Sequence, residues 1–251
     1  MGRLFSAQGR DAGMEQIIAF GDSNTWGLNP MLKERYPEHI RWTGIVRSRL
    51  RGAGFLVAEE GLCGRTTVFE DPYRIGLKGS EDIPGILDRY PEAGAAIVML
   101  GTNDCKKAFR ATAGQIGKGL EECLDAFQAV IAPEHILVVS PILLGQNVWR
   151  PDMDPEFDRQ SVRVSSELKE TYAQIARRRG HPFLAASDYA EASRYDEEHM
   201  SEEGHRSLAD AVCRVLSGVL FPDRFKRVAF AADSRAAFGK AHMGIRRICT
   251  V

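Results

Sequence analysis

Five short apolar runs recur along the chain: "QIIAF" (16–20), "GFLVAE" (54–59), "AAIVML" (95–100), "HILVVS" (135–140) and "PFLAA" (182–186). Each has the length of a buried strand, and the first four are rich in Ile, Val, Leu or Phe, as strands covered on both faces should be. Between them the apolar positions change to a helical period. Over 112–131, Ile116, Leu120, Cys123, Leu124, Phe127 and Ile131 share one face, and Thr112 with Gln115 forms a capping-box signature. A second helix is predicted over about 160–179, with Leu168, Tyr172 and Ile175 aligned and Gly180 as its stop. Another begins at Trp42, and the last starts near Ser201, a good N-cap, with Leu208, Val212 and Leu216 facing inward. Strands alternating with helices predict an α/β fold, a flavodoxin-like three-layer α/β/α sandwich around a five-stranded parallel sheet.

In such sheets ligands collect beyond the carboxyl ends of the strands. The segments to read are therefore "GDSNTWG" after the first run, "EEGLCGRTT" after the second, "GTNDCKK" after the third and "SPILLGQNVW" after the fourth, with "YDEEHMSEEGH" before the final helix. Ser23 in the first loop is a poor nucleophile unless a base takes its proton. Taken alone, it reads first as a turn or cap serine, and otherwise as part of a phosphate cradle in a noncatalytic nucleotide- or flavin-binding module. A base is available in "DEEHM": Asp196 and His199, three residues apart, let the carboxylate accept from imidazole Nδ1–H and leave Nε2 free. Asn103 in "GTND" offers a side-chain N–H donor, and Gly64 a backbone N–H that a substrate can approach with no Cβ in the way. Asp196, His199 and His205 are also metal-ligand types, but no fuller ligand set accompanies them, so neither a metal nor another cofactor is expected.

The blocks "GDSNTWG", "GLCGRTT", "GTND" and "DEEHM" resemble the four signature blocks of the SGNH (GDSL-type) hydrolases, and the likeness runs from about residue 16 to residue 217. It implies Ser23 as nucleophile, His199 as base with Asp196 as its partner, and the Ser23 amide, Gly64 and Asn103 as an oxyanion hole. The stretches "RWTGIV" (41–46), "EEGLCGRTTVFEDP" (59–72) and "VMLGTNDCKKAF" (98–109) are similar to the arylesterase and acetylesterase branch, which implies a serine esterase acting on short acyl esters, including acetylated sugars, or an acyltransferase using the same site. Asn24 stands where the GDSL name has Leu, and Cys63 precedes Gly64 where relatives often have a polar residue; Cys63 reads as a small buried filler. Trp26, Trp42, Arg65 and Trp149 are candidates for lining the substrate pocket. The loop 141–155, with Leu143, Leu144, Val148 and Trp149, is long enough to shape that pocket or to seat a second subunit, so a homo-oligomer is expected.

Composition narrows the partners. With 251 residues and a net charge of −1, the chain suits one domain and has no global basic field to draw it to nucleic acid or an anionic membrane. The runs at Arg177–Arg179 and Arg246–Arg247 read as solvated faces. A small-molecule ester is the expected partner. The five cysteines, Cys63, Cys105, Cys123, Cys213 and Cys249, form no CxxC pair and read as reduced thiols of a cytoplasmic protein. No run reaches the roughly 20 apolar residues of a membrane span, and residues 1–13 lack a secretory h-region. The expected organisation is an extension (1–13), the hydrolase domain (14–221) and a tail (222–251) with no counterpart in the family.

Overall fold

The computed structural model describes residues 15–222. The extension expected over 1–13 and nearly all of the tail from 222 onward, with Arg246, Arg247 and Cys249, lie outside them. In chain order the described residues form β1 (Glu15–Gly21), α1 (Ser23–Trp26), α2 (Trp42–Arg51), β2 (Phe55–Gly61), α3 (Gly79–Arg89), β3 (Ala93–Met99), α4 (Ala113–Gln128), β4 (Ile136–Ser140), α5 (Arg159–Arg179), β5 (Phe183–Ala185) and α6 (Glu202–Val215). All strand pairings are parallel and the sheet order is β2-β1-β3-β4-β5. The expected five-stranded architecture is therefore present.

Side chains alternate across this sheet, and each face has its own core. Ile18, Phe20, Ala96, Val98, Ile136 and Val138 pack on one side with Ile116, Leu120, Phe127, Leu168 and Tyr172. Ile17, Ala19, Ala95, Ile97, Leu137 and Val139 pack on the other with Val46, Leu50, Leu208 and Val212. Burial on both faces explains why the strands read as unbroken apolar runs. Three helix starts follow local chemistry: Thr112 and Gln115 cap α4 reciprocally, Asp158 caps α5 through Ser161 N, and Ser201 caps α6 through Gly204 N. Gly180, at φ +76°, ends α5.

The sheet order places the topological switch between β1 and β3, with β2 on the other side of β1, so the loops after these three strands open onto one crevice. Backbone close approach builds the floor of that crevice. A Cβ on Gly61 would lie 2.1 Å from Trp26 N, so only glycine lets the short helix α1 sit down on the end of β2. Leu144 and Val148 of the loop after β4 are buried in the chain's own core, while Leu143 is exposed, so that loop is anchored rather than laid open for a partner along its whole length. Among the described residues no helix is long and apolar enough to cross a membrane.

Candidate active site

Asp22, at the end of β1, is the N-cap of α1: its carboxylate accepts from Asn24 N at 2.9 Å and turns the chain so that Ser23 opens the helix. From the other end of the chain, His199 brings Nε2 to 2.8 Å from Ser23 Oγ, across 176 positions of sequence. Its Nδ1 lies 2.8 Å from Asp196 Oδ2. Asp196 is fixed in turn by the His199 amide at 3.0 Å, the Glu198 amide at 3.2 Å and Lys33 Nζ at 2.8 Å. Burial alone would raise the Asp196 pKa, but the hydrogen bond and charge of His199, with Lys33, hold it far below the ordinary carboxylate range. Asp196 is therefore a fixed anion that selects the His199 tautomer with Nδ1–H.

The loops after β2 and β3 meet beside Ser23. Leu62 N and Arg65 Nη1 both donate to Gly21 O, at 3.1 and 2.8 Å, and Asn103 Nδ2 donates to Arg65 O at 3.1 Å. Gly64 sits between these ties at φ +85°, a conformation that favours glycine, with Leu77 Cδ1 only 3.0 Å from where a Cβ would be. Among the described residues, the amides of Ser23 and Gly64 donate to no acceptor, and Asn103 keeps one of its two N–H groups uncommitted. A nucleophile-base pair beside three available donors is the arrangement needed to attack a carbonyl and hold the oxyanion that results.

Two residues first read as substrate-lining belong to the frame. Arg65 is buried; its guanidinium is engaged by Gly21 O, Glu60 O and Asp82 and lies 4.3 Å from the Phe20 ring centre, within the frame of the site. Trp42 is 1% exposed; its indole N–H donates to Asn24 O at 3.0 Å, bracing the Ser23 turn from the core. Trp26 and Trp149 are half-buried, under Arg35 and Arg159 respectively, with no bond to Ser23 or His199. Cys63 is exposed, not a buried filler, and partial desolvation beside Asp22 and Glu198 pushes its thiol up to about 11, so it is not an activated thiolate. His205 is fully buried, its Nδ1 accepting from Trp42 N, and burial takes its pKa down to about 3. Among the described residues no group of three or more His, Cys, Asp or Glu is placed to hold a metal.

Four other residues complete the site. Asn24 Nδ2 donates to Glu198 O at 3.3 Å and Asn24 Oδ1 accepts from Met200 N at 3.0 Å, so one amide grips the backbone on both sides of His199. Asp104, fully buried, accepts from Thr67 N at 2.9 Å and from the Thr67 hydroxyl, fastening the β3 loop to the β2 loop. Glu197 holds φ +56°, which costs a non-glycine residue roughly 1–2 kcal/mol, and its carbonyl accepts from Gly145 N at 2.7 Å. Glu198 is buried, and its carboxylate lies 3.7 Å from His199 Nδ1. Asp104 is signalled by its place in "GTND" and Glu198 by its place in "DEEHM"; the contacts of Asn24 and Glu197 have no local signal, because each is made to a segment remote in sequence.

A parallel sheet whose crevice joins serine, histidine and aspartate beside unengaged amide donors defines the class of serine-dependent ester hydrolases. The chain belongs to the GDSL-like lipase/acylhydrolase family, whose model matches residues 19–207. Among solved structures it is similar to Est24, a carbohydrate acetylesterase from Sinorhizobium meliloti (32% identity, 81% of this chain and 98% of that one, TM-score 0.73). It is also similar to the aryl esterase of M. smegmatis (30% identity, 82% of this chain and all of that one, TM-score 0.73). A segment covering 37% of this chain is 36% identical over 92 residues to the uncharacterized lipoprotein YqeF of Bacillus subtilis, spanning 33% of that protein's length.

Proposed function

We propose that the protein hydrolyses short-chain acyl esters, acetyl esters foremost, through an acyl-enzyme on Ser23. The observation that carries this reading is the 2.8 Å approach of His199 Nε2 to Ser23 Oγ, with Asp196 behind the ring. His199 takes the Ser23 proton as Oγ attacks the ester carbonyl. The Ser23 and Gly64 amides and Asn103 Nδ2 receive the oxyanion, and the protonated imidazole passes its proton to the departing alcohol. Water then enters, gives its proton to His199 and releases the acid. An added alcohol in place of water would make the same site an acyltransferase, and product partition with added alcohol measures the balance. The acetylesterase and aryl esterase relatives support acetyl and aryl esters as substrates. A panel of p-nitrophenyl esters of increasing chain length, run beside an acetylated sugar, tests this; fastest turnover on the longest acyl chain would refute the short-acyl reading.

Because His199 must be neutral to accept a proton, pH dependence follows from its surroundings. Burial alone would lower its pKa, but the Glu198 charge and the hydrogen bond and charge of Asp196 outweigh this and raise it above the ordinary 6.5. Activity should therefore be low in acid and climb as pH rises through a midpoint above 6.5. A kcat/KM profile between about pH 5 and 9 checks it, and a flat profile would speak against an imidazole base.

Asn24→Leu removes both bonds that align the His199 backbone. We expect about a tenfold or greater fall in kcat with little change in KM, as for a positioning defect. Unchanged kcat in a folded variant would mean that the clamp is dispensable.

A cytoplasmic location belongs to the same reading: Cys63, Cys105, Cys123 and Cys213 are free thiols, as a reducing compartment would keep them. So does self-association, supported by Tyr73 and Ile75, which are 79% and 89% exposed. Sedimentation velocity distinguishes monomer from oligomer.

A further inference from the structure

One buried acid beside the His199 ring carries a charge effect in the reaction above but makes no hydrogen bond there. Glu198 is 6% exposed, next to His199 in sequence, and its carboxylate lies 3.7 Å from Nδ1, whose proton Asp196 already takes. Its amide and carbonyl are spent on Asp196 and Asn24. The carboxylate itself accepts no hydrogen bond from the described residues, and neither of its oxygens is among the sealed, unpartnered atoms, so both keep some access to solvent.

Its electrostatic surroundings come from several loops of the site. The charged groups acting on Glu198 are His199 and Asp196 from its own loop, Lys106 from the segment following Asn103, and Asp154 from the loop after β4. Glu198 in turn acts on Cys63, the residue before Gly64. The field at the carboxylate thus comes from the loops after β2, β3 and β4 as well as from its own loop. Lys106 does not neutralise it directly: Nζ is 2.6 Å from Glu156 and 3.5 Å from Asp71.

A nearly buried carboxylate with a charge neighbour but no hydrogen-bond partner is costly unless a ligand completes it. We propose that Glu198 is a specificity-determining residue that hydrogen-bonds a free hydroxyl on the alcohol portion of the ester, beside the bond that is cleaved. The assignment rests on the esterase reading and extends it by naming the alcohol that this site prefers. Burial brings the Glu198 pKa up to about 7, so near neutrality the group both accepts and donates, which matches a hydroxyl better than a permanent cation. An ester lacking the hydroxyl would leave the acid desolvated and unpaired.

Ethylene glycol monoacetate and propyl acetate separate the cases, because they have nearly the same size and acetyl group and differ in one terminal hydroxyl. We expect wild type to favour the hydroxyl ester in kcat/KM, and Glu198→Leu to reduce that preference about tenfold. Glu198→Gln, whose amide still accepts and donates, should keep part of it. Effects of these variants on the base act on both esters and cancel in the ratio, and circular dichroism confirms that each is folded. A ratio that stays put in folded Glu198→Leu, or a wild type without preference for the hydroxyl ester, overturns the assignment while leaving the esterase reading intact. If Glu198→Leu does not fold, Glu198→Gln decides: partial or complete loss of preference supports the assignment, and an unaltered one overturns it. A wild type that cleaves neither ester nor p-nitrophenyl acetate overturns both readings.

Discussion

Ser23→Ala is expected to fold normally and to hydrolyse p-nitrophenyl acetate about three to six orders of magnitude more slowly than wild type. The change deletes one hydroxyl whose described bond is to His199 Nε2, and it leaves the Asp22 cap, the Gly27 C-cap and the Asn24 clamp in place. Structure should survive and chemistry should not. His199→Ala should cost a similar factor, and the double variant little more than either single one, because a nucleophile and its base act as one unit. Turnover of a purified Ser23→Ala protein at the wild-type rate, free of contaminating esterase, would remove Ser23 from the mechanism.

The second large effect is expected at Asn103. Asn103→Ala should lower kcat about 100- to 1,000-fold with KM nearly unchanged, since an oxyanion donor strengthens its bond only as charge develops in the transition state. The residue is buried, and Nδ2 already donates to Arg65 O at 3.1 Å, so the amide is orientated before substrate arrives. Its loop is held by Asp104, whose bonds to the Thr67 amide and hydroxyl do not pass through the Asn103 side chain. The alanine variant therefore keeps the loop and loses the donor. A rise in KM at constant kcat would instead make Asn103 a ground-state binding residue.

Much of this arrangement is legible along the chain, and the exceptions are informative. The run at 95–100 predicts β3, which spans Ala93–Met99, and the periodicity of 112–131 predicts α4, which spans Ala113–Gln128 with the capping box in place. Helix α3 carries no comparable signal: it begins at Gly79 and contains Pro84, both unfavourable for an isolated helix, and it forms because Ile83 and Ile86 bury against the sheet. Trp42 and Arg65 show the opposite failure. An aromatic ring and a guanidinium near the rim suit ligand contact on chemistry alone, yet one fills the core and the other staples β1 to β2. Residue type does not reveal which side of a loop a side chain takes.

Asn24 is the sharpest case, because in sequence it is only a departure from the GDSL pattern, whereas in space its amide bridges Glu198 and Met200 across about 175 positions. Local periodicity and short blocks are enough to read the parallel α/β class and the strand runs and to mark Ser23, Gly64, Asn103, Asp196 and His199 as candidates. Packing between remote segments sets Ser23 Oγ and His199 Nε2 2.8 Å apart, buries Glu198 without a hydrogen-bond partner, and turns Arg65 inward. Those facts arise from how packed loops from different strands meet, and burial and hydrogen bonding between remote segments are properties of the closed crevice, not of any stretch of chain.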